Sequence, residues 1–137
     1  MRIDHVGLLV GDLEAGKALA RDVLGLGDAA AEFQAAEHGL AGAFFGMGDA
    51  RLEVFTIDGA PAERLAAGAA GALDHIAVQV DDLDAERERL AGHGVRFTGP
   101  STPEHIDEPV VLRGSRHLWT DPATSGGIRI QLIQPGR

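Results

Sequence analysis

The sequence predicts an α+β fold made of two copies of one βαβββ module. Three observations carry that prediction. Ile3-Asp4-His5-Val6 returns 70 residues later as Leu73-Asp74-His75-Ile76. Each copy then meets an acidic turn, Val10-Gly11-Asp12-Leu13 and Val80-Asp81-Asp82-Leu83, followed by a helix-like segment. After each helix come several short apolar runs bounded by turn residues, so strands outnumber helices too heavily for a doubly wound parallel sheet. A chain of 137 residues is one domain by length, and a half of about 65–70 residues is too small to bury much surface alone. We read residues 1–58 as the first module, 59–72 as a connector and 73–137 as the second module.

Residues 3–10 read as a strand, and Asp12 as the N-cap of a helix over 13–24. Leu13, Leu19, Val23 and Leu24 can share one face of that helix, which Gly25 and Gly27 end. Residues 28–35 form a short strand and Glu37-His38-Gly39 a turn. Residues 40–47 and 51–57 form a hairpin around Gly48-Asp49. In the alanine- and glycine-rich connector, Pro61 to Ala67 can make a short helix. The cycle restarts with a strand at 74–80, a helix at 82–92 and a strand at 95–98. A polar loop with three prolines spans 99–110, and 111–120 and 127–133 form a second hairpin around Asp121-Pro122 and Ser125-Gly126.

The net charge of -9, with Lys17 the only lysine, argues against a nucleic-acid surface, which must neutralise phosphates. Arg96, Arg113, Arg116 and Arg129 could still form a local basic spot for an anionic small molecule, although most arginines are solvated. Cysteine is absent, which excludes disulfides and thiolate metal sites. With no signal-peptide-like start and no stretch of membrane-spanning length, the expectation is a soluble cytoplasmic protein.

The candidate site follows from period-two alternation on the strands. Ile3, His5 and Gly7 share one face of the first strand, and Leu73, His75 and Ala77 share the matching face of the restart. On the last strand of each module, Leu52 and Val54 flank Glu53, and Ile130 and Leu132 flank Gln131. A carboxylate inside an apolar run is costly unless it is paired or binds a metal. Two imidazoles, a carboxylate and an amide oxygen suit zinc, cobalt or nickel. Alternation alone instead favours Leu52 and Val54 in the core with Glu53 facing water, and Gln131 has the same two readings. His117, beside Trp119, reads as an edge histidine or, if it points inward, as a proton donor or substrate contact. Trp119, Phe44, Phe45 and Met47 could wall an apolar substrate or simply pack the core.

These residues resemble the vicinal oxygen chelate superfamily, which includes glyoxalase I, methylmalonyl-CoA epimerase, extradiol dioxygenases and antibiotic-resistance proteins. Ile3-Asp4-His5-Val6-Gly7 with Val10-Gly11-Asp12-Leu13 is similar to its opening strand and turn, and Leu73-Asp74-His75-Ile76-Ala77 to the opening of its second module. The resemblance covers almost the whole chain. It implies a U-shaped, partly closed, eight-stranded mixed sheet, a metal held by His5, Glu53, His75 and Gln131, and a homodimer. The pattern most resembles the methylmalonyl-CoA epimerase family. Glu37-His38-Gly39, sixteen residues before Glu53, is similar to the segment that carries that family's proposed general base. The hairpin Gly46 to Glu53 and the segment Ser125 to Leu132 are similar to its hairpins. That family commonly has glutamine at the Glu53 position and glutamate at the Gln131 position, so acid and amide have changed strands here.

The resemblance implies a metal-dependent epimerase or isomerase that removes a proton alpha to the carbonyl of a small-molecule substrate such as an acyl-CoA. Glu37 and Glu53 are the candidate catalytic carboxylates, with Glu104, Asp107 and Glu108 as other sources of a second base. Gln131 cannot take a proton at neutral pH. A glyoxalase-like lyase and a non-catalytic protein that binds a small molecule or antibiotic are the alternatives.

Overall fold

In the computed structural model, which describes residues 1–59 and 63–137, both modules have the α+β element order read from the sequence. Strand β1 (Arg2–Val10), helix α1 (Leu13–Ala18), β2 (Ala31–Ala35), β3 (Leu40–Met47) and β4 (Ala50–Ile57) make the first round. Strand β5 (Gly71–Gln79), helix α2 (Leu83–Ala91), β6 (Phe97–Thr98), β7 (Val110–Leu112), β8 (Ser115–Thr120) and β9 (Ile130–Gln134) make the second. The chain divides into two compact units, His5–Asp74 and Met1–Asp4 with His75–Arg137. Part of the helix expected over Pro61 to Ala67 lies outside the described residues. Glu63 and Arg64 form a single tight turn. Among the described residues no helix is long and apolar enough to cross a membrane.

Both helices start on the same chemistry. Asp12 Oδ1 accepts the Ala15 N–H, and Asp82 Oδ1 accepts the Ala85 N–H, each at 3.0 Å. Each carboxylate thereby satisfies one of the unpaired amides of a helix start. The first helix departs from expectation after Ala18. Residues Leu19–Val23 are wound as π-helix, and Leu24 N–H donates to Leu19 O. The wider turn rotates the apolar residues away from the sheet. Leu19, Val23 and Leu24 are exposed, and the packed face consists of Gly16 and Ala20. Small residues bring this helix close to its sheet. A Cβ on Gly16 would stand 2.7 Å from Val54 Cγ1.

In the first unit the strands run in the order β2-β3-β4-β1, with β1 parallel to β4 and the other pairs antiparallel. One face of this sheet packs on α1 through Val10, Ala43, Phe45, Leu52 and Val54. The other face is also covered: Leu9, Phe55 and Ile57 pack with Phe33, Leu40 and Leu65. The second unit has the order β5-β9-β8-β6, with β5 parallel to β9. Its helix-side core holds Val78, Val80, Leu83, Val95, Phe97, Leu118 and Leu132.

Three expectations need correction here. The strand expected over 111–120 is a tight hairpin, β7 paired with β8, because Arg113 (φ 50°) and Gly114 (φ 79°) both adopt left-handed backbone. That is the two-residue turn whose twist matches paired strands. It adds a short ninth strand beside the eight expected. Residues 127–129 precede β9 rather than belong to it. Arg129 is buried and donates to Gly99 O at 3.0 Å, and Arg116 pairs with Asp84 at 2.9 Å, so neither is a bare cation.

Candidate metal centre

Each unit presents the same arrangement of donors. In the first, His5 on β1 is 2% exposed, and Gly7, two residues on, pairs with Glu53 of β4. His5, Gly7 and Glu53 therefore share one face. His5 Nε2 and Glu53 Oε1 are 3.7 Å apart. That is too long for a hydrogen bond. It is close to the separation of about 3.4 Å expected of two atoms that share one ion at bond lengths near 2.1 Å. Phe44, cross-strand from Glu53, packs its ring edgewise on His5 with centroids 5.2 Å apart. The Arg51 guanidinium lies over the same ring, 4.1 Å from its centroid.

In the second unit His75 on β5 is buried, and Ala77, again two residues on, pairs with Gln131 of β9. Trp119 is cross-strand from Gln131, as Phe44 is from Glu53. Gln131 does not face water. It is 5% exposed, and its Nε2 is 2.9 Å from His117 Nδ1. His117 is itself buried and stacked on Trp119 at 5.7 Å, which corrects the edge-histidine reading.

The water-facing reading of Glu53 is also corrected. Leu52, Glu53, Val54 and Phe55 are all buried, because this strand is covered on both faces. A carboxylate this deep costs free energy unless a cation or donor compensates it. His5 and Glu53 in the first unit and His75 in the second are each buried, and their imidazole and carboxylate groups are donor types compatible with a divalent metal.

The structure does not bring Glu37 to Glu53. Glu37 is exposed in the tight turn Ala36–His38, and the strand that follows pairs Leu40 with Ile57. Four residues of β4, about 13 Å of strand, separate Ile57 from Glu53. Glu104, Asp107 and Glu108 are exposed in the loop before β7. Of the four apolar candidates for a substrate wall, Phe44 and Trp119 lie on the donor faces, Phe45 packs against α1 and Met47 is exposed. Arg51, which no motif marks in the sequence, lies on the face of Glu53 by alternation along β4.

A family model described as the glyoxalase/bleomycin resistance protein/dioxygenase superfamily matches residues 4–110. The chain belongs to this superfamily. Within it, the chain is 30% identical to an ethylmalonyl-CoA/methylmalonyl-CoA epimerase of Cereibacter sphaeroides, over 97% of each chain. It is similar in structure to methylmalonyl-CoA epimerase from Mycobacterium tuberculosis, with a TM-score of 0.82 and 25% identity, covering 99% of this chain and 89% of that one. A variant of the Streptomyces coelicolor methylmalonyl-CoA epimerase in complex with 2-nitronate-propionyl-CoA gives the same TM-score and identity, covering 100% of this chain and 99% of that one.

Proposed function

We propose that this protein is a metal-dependent epimerase that removes the proton alpha to the thioester carbonyl of methylmalonyl-CoA, or a close acyl-CoA relative, and returns it on the other face. The observation that carries the reading is the repeated donor register: His5 with Glu53 beside Gly7, and His75 with Gln131 beside Ala77. The acyl-CoA part rests on the relatives and on the ligand held by the Streptomyces enzyme.

In this reading His5, Glu53, His75 and Gln131 hold a divalent ion, with zinc, cobalt and nickel suited to the donor types. When bound, the ion supplies positive charge against the negative charge that develops on the substrate carbonyl oxygen as the proton leaves. Phe44 and Trp119 keep water away from the donor faces and so strengthen every charge interaction there. Arg51, on the Glu53 face and cross-strand from His5, offers a planar fork to a substrate carboxylate. Glu53 and Glu37 are the carboxylates proposed for proton transfer. Glu53 lies on the donor face, while Glu37 lies on the exposed turn Ala36–His38.

The test is interconversion of the two methylmalonyl-CoA epimers by the purified protein, before and after chelation. The proposal predicts turnover that chelator abolishes and one divalent ion per chain restores. Turnover unchanged by complete metal removal would contradict the metal assignment. Turnover of a hemithioacetal in place of the epimers would move the reading to a glyoxalase-like lyase.

A further inference from the structure

The two donor faces share one layout, but beside the donor they differ in kind at one position. In the second unit the residue cross-strand from Gln131 is Trp119, and two residues before it stands His117, which pairs with Ile133. In the first unit the residue cross-strand from Glu53 is Phe44, and two residues before it stands Gly42, which pairs with Phe55. No side chain fits at Gly42: a Cβ there would meet the Phe33 ring at 2.6 Å. The unit whose donor is a carboxylate thus has a glycine where the unit whose donor is an amide has a histidine.

The chemistry of the two donors accounts for the difference. A carboxylate presents two equivalent oxygens, so either can serve as a ligand and nothing has to choose between them. A primary amide presents one oxygen and one NH2 group, and only the oxygen has a lone pair to give. An amide ligand therefore needs a neighbour that takes its nitrogen. His117 Nδ1 stands 2.9 Å from Gln131 Nε2, and both side chains are buried.

We infer that His117 is a positioning residue: its Nδ1 accepts a hydrogen bond from Gln131 Nε2 and so turns the amide to present Oε1 as a ligand. The inference rests on the metal reading above and adds the device that makes an amide serve in place of a carboxylate. It fixes the tautomer as well, because an imidazole that accepts at Nδ1 carries its proton on Nε2. The same ring also stacks on Trp119, with centroids 5.7 Å apart and planes 17° apart.

Two measurements test this. Nitrogen NMR of the as-purified protein is expected to show His117 neutral and protonated on Nε2. Protonation on Nδ1 would overturn the inference, because the amide oxygen would then be turned toward the ring. Calorimetric titration of the metal-free protein with Zn²⁺ gives the second readout. His117→Phe keeps the aromatic stack and loses the acceptor, and it is expected to weaken Zn²⁺ binding about 10- to 100-fold. The double variant H117F/Q131E is expected to recover the affinity, since a carboxylate needs no orienting partner. Unchanged affinity in H117F, or no recovery in the double variant while Q131E alone binds, would overturn the positioning role. Wild-type protein that binds no Zn²⁺, Co²⁺ or Ni²⁺ would instead overturn the metal reading, and the tautomer measurement would still decide how His117 holds Gln131.

Discussion

Glu53 carries the only formal negative charge in the proposed donor set, so it governs both ion affinity and the charge the substrate meets. Glu53→Gln is expected to lower divalent-ion affinity by about 100-fold or more and to remove epimerisation with it, measured by titration and by epimer interconversion on the same samples. Glu37→Gln separates the two roles. The turn that holds Glu37 is solvated and contributes no ligand, so metal affinity should be unchanged. Interconversion should fall by about 100-fold, the size of a lost general base, while one epimer still exchanges its alpha proton. If E37Q epimerises at the wild-type rate, Glu37 is not a base. Legibility at this scale differed from residue to residue. His5 and His75 could be found because the Asp-His repeat marks them twice. Glu53 was ambiguous because alternation assumes one wet face, and β4 has none. The partnership of His117 with Gln131 spans 14 residues and two strands, and no local pattern announces a cross-strand diagonal.

At the scale of elements, local chemistry was the readable part. Asp12 and Asp82 cap their helices because a short carboxylate at a helix start has one good use, and their sequence contexts nearly repeat. The face of the first helix was not readable. Its phase shifts where the chain closes a wider turn after Ala18, and the packed residues are the small Gly16 and Ala20, which a search for large apolar side chains passes over. The turn after β8 offers a test of an element by pH. Asp121 caps the short 3-10 turn Pro122–Thr124. Its carboxyl is held below the usual carboxylate range, first by the hydrogen bond from His105 at 2.8 Å and then by the Ala123 N–H. A depressed folded-state value means the stabilisation is complete above the unfolded pKa, near 4, and is lost as pH falls through the lower folded value. Asp121→Asn keeps an oxygen for the cap and removes the charge. Its urea midpoint is therefore expected below wild type at neutral pH, with the gap closing below about pH 4. A gap of constant size across that range would show that the His105 pair contributes nothing through charge.

Over the whole molecule, one module is used twice and then made unequal. The strand order β2-β3-β4-β1 of the first unit matches β5-β9-β8-β6 of the second in its essentials: a parallel pair carries histidine and donor, and antiparallel strands follow. This duplication is why the fold class could be read from the chain, since the repeated motif and the count of short strands are properties of sequence alone. The inequality, Glu53 with Gly42 against Gln131 with His117, could be seen only once the register was known. It also bears on the reaction, because a neutral amide leaves proton transfer to other groups. The most direct measurement of the central claim is deuterium incorporation at C2 of methylmalonyl-CoA in D2O, followed by proton NMR with metal-loaded protein. The account predicts loss of the C2 proton signal at a rate that scales with protein concentration and stops on chelation. A C2 proton that persists in the presence of fully metal-loaded, folded protein would contradict it.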